Sequence, residues 1–152
     1  MDMSDGYLAN GKTILCRTED ADRYKSLSGI NRSEVRVMVN PGGLNEQFAL
    51  KNLKNAKIII HEKNAEIPNL VAEGKADIMI TEITEAPYYV KNDSRLSAPL
   101  ISTPFTHGEI GILMRKNKTG LLEFINSHIR EMKADGSLKI LTEKYGLTYV
   151  YD

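Results

Sequence analysis

The 152-residue chain carries 20 Lys plus Arg against 20 Asp plus Glu, so its formal net charge is zero, and 41% of its residues are hydrophobic. A neutral chain lacks the electrostatic footprint of a nucleic-acid binder or of a protein drawn to an anionic membrane, and this apolar content excludes a disordered polymer. The single cysteine excludes an intramolecular disulfide and a cysteine-based zinc cluster.

Residues 1–12 contain neither a basic n-region nor an apolar stretch of signal-peptide length. No run approaches the roughly 18 apolar residues of a membrane helix, so no membrane insertion is expected. Residues 12–17 (KTILCR) read as a strand in which Cys16 is a buried, inert thiol. Residues 20–30 read as a short helix, acidic in its first turn and closed by Gly29. Val35, Val37 and Val39 alternate along a strand over 34–40, and a helix follows over 43–54 with Phe48, Leu50 and Leu53 as its apolar positions. Residues 56–62 form a short β-branched strand. Residues 66–75 form a helix with Pro68 in its first turn and Gly74 at its end. A strand over 76–82 leads into a helix over 84–93, and 96–101 and 108–116 are strands. Leu121, Ile125, His128, Ile129 and Met132 recur at helical spacing; Gly136 ends that helix, and Leu138, Leu141 and Tyr145 continue a second one.

Strand–helix alternation predicts an α/β fold with a mostly parallel sheet, and ligands of such sheets bind beyond the carboxyl ends of strands. Two strand ends stand out. At Asn40-Pro41-Gly42-Gly43 a strand turns into a helix through two glycines, where helix N–H groups and the dipole attract an anion; a tight turn with no ligand has the same composition. At the other, Glu82 and Glu85 lie one helical turn apart. One carboxylate suits an ammonium and the other a general acid, while Thr81 or Thr84 as a helix cap with a dipole-complementing acid is the structural alternative. His61, His107 and His128 lack metal-ligand spacing, so no metal is expected, and His128 reads as a packed histidine. Tyr88 and Tyr89 read as helix packing. No nucleophile elbow, Walker loop or dinucleotide fingerprint occurs.

The order "GYLANGKT", "VNPGGLNEQFALKNL", "AEGKADIMITEITEA", "GEIGILMRKN" and "IREMKADGSLKILTEKYGL" resembles the type 2 periplasmic solute-binding proteins for amino acids. Within that family, "VNPGG-x-NE" with "GKAD-x-M-x-T-x-x-x-E" resembles the cyclohexadienyl dehydratases, which convert prephenate to phenylpyruvate and arogenate to phenylalanine. The resemblance implies a complete second lobe over 12–105. Residues 1–11 and 106–152 are then crossover segments, return strand and C-terminal helices of a first lobe that is mostly absent. It implies a periplasmic location, a prephenate-like or amino-acid ligand, no cofactor and no nucleic acid. It assigns Glu85 as general acid, Asn40 as a catalytic residue, and Gly42, Gly43, Asn45 and Glu82 as ligand-binding residues. Leu44 stands where a carboxylate-binding threonine is usual, and Pro87 where the dehydratases have an arginine. The alternative is an amino-acid-binding component of an ABC transporter. The stretch on its own is expected to be inactive. Leu121, Leu122, Phe124, Ile125 and Ile129 would need cover, which predicts a homodimer or a segment-swapped dimer.

Overall fold

The computed structural model describes residues 1–151, which form two compact units, one spanning residues 12–106 and the other joining residues 1–11 to the stretch from 107 onward. The second-mentioned unit begins with the short strands β1 (Asp2–Met3) and β2 (Leu8–Asn10).

Residues 12–106 fold around a five-stranded sheet. Its strands are β3 (Lys12–Arg17), β4 (Arg36–Val39), β5 (Lys57–Ile60), β6 (Ile78–Glu82) and β7 (Leu96–Ser97), in the order β5-β4-β6-β3-β7. Strand β4 pairs in parallel with β5 and β6, whereas β3 runs antiparallel to both β6 and β7. The sheet is therefore mixed: the parallel arrangement holds over three strands and ends where β3, entering the unit from the opposite side, lies against β6.

Alternation within the strands builds two core layers. Ile14, Cys16, Val37, Val39, Ile78 and Ile80 point to one face, where they meet Ile30 of α1 (Leu27–Ile30) and Ala49 of α2 (Leu44–Asn52). Leu15, Met38 and Met79 point to the other, against Ile67 and Val71 of α3 (Ile67–Ala72), with Tyr89 and Val90 of α4 (Ala86–Asn92) beside them. Burial, with Asp20 nearby, pushes the Cys16 thiol up to about 12, as an inert core cysteine requires.

Two sequence expectations change here. The helix over 20–30 is a 3₁₀ stretch, Thr18–Arg23, followed by the single turn α1, whose cap Ser26 accepts a hydrogen bond from Gly29 N–H. Asp20 is drawn inward by Arg17 instead of sitting on a helix surface. The strand over 96–101 is reduced to β7. Pro68 and Gly74, the latter at φ +75°, bracket α3 as expected.

In the other unit β1 pairs antiparallel with β9 (Leu113–Met114), and β2 with β8 (Gly108–Ile110), so the strand expected over 108–116 is broken at Gly111-Ile112. Helices α5 (Thr119–Ala134) and α6 (Ser137–Lys144) follow, separated by Gly136 at φ +80°. The turn after β1 is tied to α5: Asp5 N–H donates to Asn126 at 2.8 Å and Lys133 donates to the Gly6 carbonyl at 2.7 Å. Ile129 is buried, but Leu121 and Phe124 are exposed. His128 is not a packed histidine: its side chain is 62% exposed and stacks on Phe124 at 5.0 Å. Among the described residues no helix is long and apolar enough to cross a membrane.

Candidate functional site

Strands β4 and β6 are parallel neighbours, so the two strand ends singled out in the sequence open on the same edge of the sheet. Asn40 follows β4 directly, and its side chain makes no hydrogen bond among the described residues. Gly42 adopts φ +78°, the left-handed conformation that glycine adopts without a Cβ penalty. Its own N–H is donated to Glu46 Oε2 at 2.7 Å, so it is already satisfied internally. Gly43 is the N-cap of α2 and offers no side-chain cap, which leaves the amides that follow at the helix start to be met by water or a ligand.

Antiparallel pairing places Lys12, the first residue of β3, directly opposite Glu82, the last residue of β6. Lys12 is 9% exposed. Its backbone is held from both sides, donating to Thr106 Oγ1 at 2.9 Å and accepting from Phe105 N–H at 2.7 Å. Its ammonium forms an ion pair with Glu82 and donates to Asn45 Oδ1 at 2.7 Å. Lys12, Asn45 and Glu82 are thus one hydrogen-bonded group spanning β3, α2 and β6. A surface cavity of about 430 Å³ opens along α2 from Lys12, walled by Leu27, Leu44 and the stacked rings of Phe48 and Phe105, whose centroids are 5.6 Å apart.

Glu85 is placed differently. It is the N-cap residue of α4, and its backbone N–H donates to the Glu82 carbonyl at 3.0 Å. Its carboxylate is half-buried and accepts from Thr81 Oγ1 at 2.5 Å, Tyr89 Oη at 2.7 Å and Asn64 Nδ2 at 3.3 Å. None of these three partners is charged. Thr81 therefore serves Glu85 and not the helix end. Tyr89 was expected only to pack; burial, and then its bond to Glu85, push its phenol up, so it stays a proton-bearing donor.

The structure brings Asn45 and Glu82 together through Lys12, and it sets Asn40, Gly43 and Glu85 at the ends of the two neighbouring strands. Sequence reasoning missed Lys12, Asn64 and Tyr89. The one local signal for Lys12 is a charged residue leading an otherwise buried strand. No group of three or more His, Cys, Asp and Glu among the described residues could hold a metal ion.

The family description that matches residues 1–148 is that of bacterial extracellular solute-binding proteins, family 3. The cyclohexadienyl dehydratase of Pseudomonas aeruginosa is 36% identical over 112 residues, which is 74% of this chain and 42% of that protein. Among solved structures, an ancestral cyclohexadienyl dehydratase is 50% identical, with a TM-score of 0.63, over 95% of this chain and 60% of its own. An ancestral amino acid-binding protein, described as a precursor of cyclohexadienyl dehydratase, is 38% identical with a TM-score of 0.79, over 95% of this chain and 61% of its own. The chain thus spans less than two thirds of the length of each of these relatives.

Proposed function

This chain belongs to the bacterial extracellular solute-binding proteins, family 3, and from that premise we propose that it is the ligand-gripping part of a periplasmic cyclohexadienyl dehydratase acting on prephenate or arogenate. The observation that carries this reading is the unequal treatment of two carboxylates at one strand end. Glu82 has a cation, Lys12, as partner. Glu85 is held by two hydroxyls and an amide. A general acid must pass between charged and neutral forms, and a carboxyl whose partners are neutral can take up and give a proton without abandoning a counter-ion. Hydroxyl partners suit both forms, because a hydroxyl can donate or accept.

In the reaction, protonated Glu85 transfers its proton to the departing hydroxyl of prephenate as the carbon–oxygen bond breaks. The bond from the ring to its carboxylate breaks too, carbon dioxide leaves, and that electron pair completes the aromatic ring. Water and phenylpyruvate are the other products, and Glu85 is left as a carboxylate to be reprotonated from solvent. Lys12, the open start of α2 and the amide of Asn40 hold carboxylate and hydroxyl groups in place.

A second reading, an amino-acid-binding component of a transporter, is favoured by the higher TM-score to the ancestral amino acid-binding protein. In that reading Glu82 takes the ligand's ammonium. To separate the two, the chain is assayed alone and with the uncovered part of the ancestral dehydratase supplied as a second polypeptide. The two-polypeptide assembly is expected to make phenylpyruvate, and the chain alone none. Glu85→Gln is expected to lower turnover by roughly 10²–10⁴ while prephenate still binds. Equal turnover in parent and variant removes Glu85 from the chemistry. Calorimetric binding of an amino acid with no phenylpyruvate formed establishes the second reading.

A further inference from the structure

We infer that the cavity along α2 is a binding site for a small aromatic carboxylate, separate from the strand ends that carry Glu85. None of Asn40, Gly43 and Glu85 lines it, so the inference does not rest on the proposed chemistry. A cavity of about 430 Å³ with mainly apolar walls and a few convergent polar groups has the size and make-up of small-molecule sites.

Leu44, Gln47, Phe48 and Lys51 follow one another at three- and four-residue steps, so α2 turns a single stripe into the cavity. The stripe changes character along its length. At the helix start Leu44 is 67% exposed, and with Leu27, Phe48 and Phe105 it forms an apolar wall drawn from three segments of the chain. Phe48 and Phe105 lie within 18° of parallel and rest on the core, so this wall is fixed in place and suits a flat ring.

Two helical turns further on, about 10 Å, the stripe ends at Lys51. The Gln47 amide and the Lys51 ammonium make no hydrogen bond or ion pair among the described residues. The place of Lys51 in the last turn suits the helix dipole, which leaves the ammonium itself open to a partner. Lys12, at the other end of the cavity, already meets Glu82 and Asn45. No acidic residue among the described residues lines the cavity, so its uncompensated charge is positive and belongs to Lys51. Charge and shape together select the occupant: a ring against Leu44, Phe48 and Phe105, and one carboxylate on Lys51 with the Gln47 amide donating beside it. An ammonium in that place would meet a like charge.

The test titrates the chain with 3-phenylpropanoate, followed by calorimetry and by the methyl resonances of its leucines. Saturable binding with a Kd of about 1 mM or below is expected. The ring is expected to shift the methyls of Leu27 and Leu44 and to leave those of Leu15 and Leu96, in the other core layer, unmoved. Removing the charge from either side, with 3-phenylpropan-1-ol or with Lys51→Gln, is expected to weaken binding about fivefold. Leu44→Ala is expected to weaken it about threefold, with the unfolding midpoint held because the residue is exposed. Lys91→Gln, an exposed lysine lost from α4, is expected to change nothing. No saturation by about 10 mM, equal affinity for the acid and the alcohol, or undiminished affinity in Lys51→Gln would overturn the inference. Binding by the chain with no phenylpyruvate from the two-polypeptide assembly keeps the inference and overturns the dehydratase reading alone.

Discussion

Strand β3 carries a cation at each end, and the protein treats the two in opposite ways. At its finish, Arg17 donates to Asp20 Oδ2 at 2.8 Å, to Asp77 Oδ1 at 3.1 Å and to the carbonyls of Val71 and Ala76 at 3.0 and 2.8 Å. Asp77 is also gripped by Arg36, through its backbone N–H at 2.9 Å and its guanidinium at 2.8 and 3.0 Å. Planar forks, aimed carboxylates and backbone carbonyls close this end on itself. At its start, Lys12 is a point charge on a flexible stem, meeting Asn45 and Glu82 beside a helix start without a side-chain cap. The far end is organised for stability. The near end is a smaller group, one lysine with one carboxylate and one amide, and it is where we place the ligand.

The strongest way to break this comparison is at Asp77. Asp77→Ala leaves two guanidiniums without their shared carboxylate, one of them largely buried, and is expected to cost about 3–5 kcal/mol in chemical denaturation. A loss below about 1 kcal/mol would mean that the far end is no lock. At the near end Lys12→Met keeps the stem and removes the charge. It also leaves the largely buried Glu82 carboxylate without its cation, so its stability cost is expected to be about 1–3 kcal/mol, less than at Asp77 because Glu82 is the more exposed carboxylate. Calorimetric affinity for prephenate should fall by about 10–100-fold, the worth of a charge-assisted hydrogen bond. Unchanged affinity would remove Lys12 from the ligand site.

The smallest effect is acid titration of the far end. Burial pushes the Asp77 carboxyl up, but the hydrogen bonds from Arg36 and Arg17 outweigh it and hold the group below its ordinary value. A depressed carboxylate contributes stability that is fully present above its unfolded value of about 3.9 and is lost as pH falls through the lower folded value. The difference in unfolding midpoint between parent and Asp77→Asn should therefore be constant from pH 7 to 5 and shrink below about pH 4. A difference that already shrinks between pH 7 and 5 would assign the titration to another group.

The contrast also marks what the residues disclose locally. Val35, Val37 and Val39, the glycine turn at Gly42-Gly43 and the placement of Pro68 and Gly74 are local signals, and each element they mark is present. Glu82 and Glu85 were legible as a pair at a strand–helix junction. Their different surroundings were not, because Lys12 meets Glu82 across 70 residues and Asn64 meets Glu85 across 21. Strand β3 is buried from Lys12 to Cys16, so it has no alternation from which to read its direction, and its antiparallel pairing was invisible in the sequence. The 3₁₀ turn that replaces the helix over 20–30 likewise answers to the Arg17–Asp20 pair and not to helix propensity.

The direction of β3 also has a consequence in time. It is the first strand of its unit to leave the ribosome, yet its ladder partners are β6 and β7. Strands β4, β5 and β6 can pair with one another as they emerge, through short crossovers. Strand β3 must wait for β6, and pairing Lys12 with Glu82 closes a loop of 70 residues. Until it docks, β6 presents an apolar open edge to other nascent chains, and the Lys12 end of the sheet is among the last parts of the unit to form.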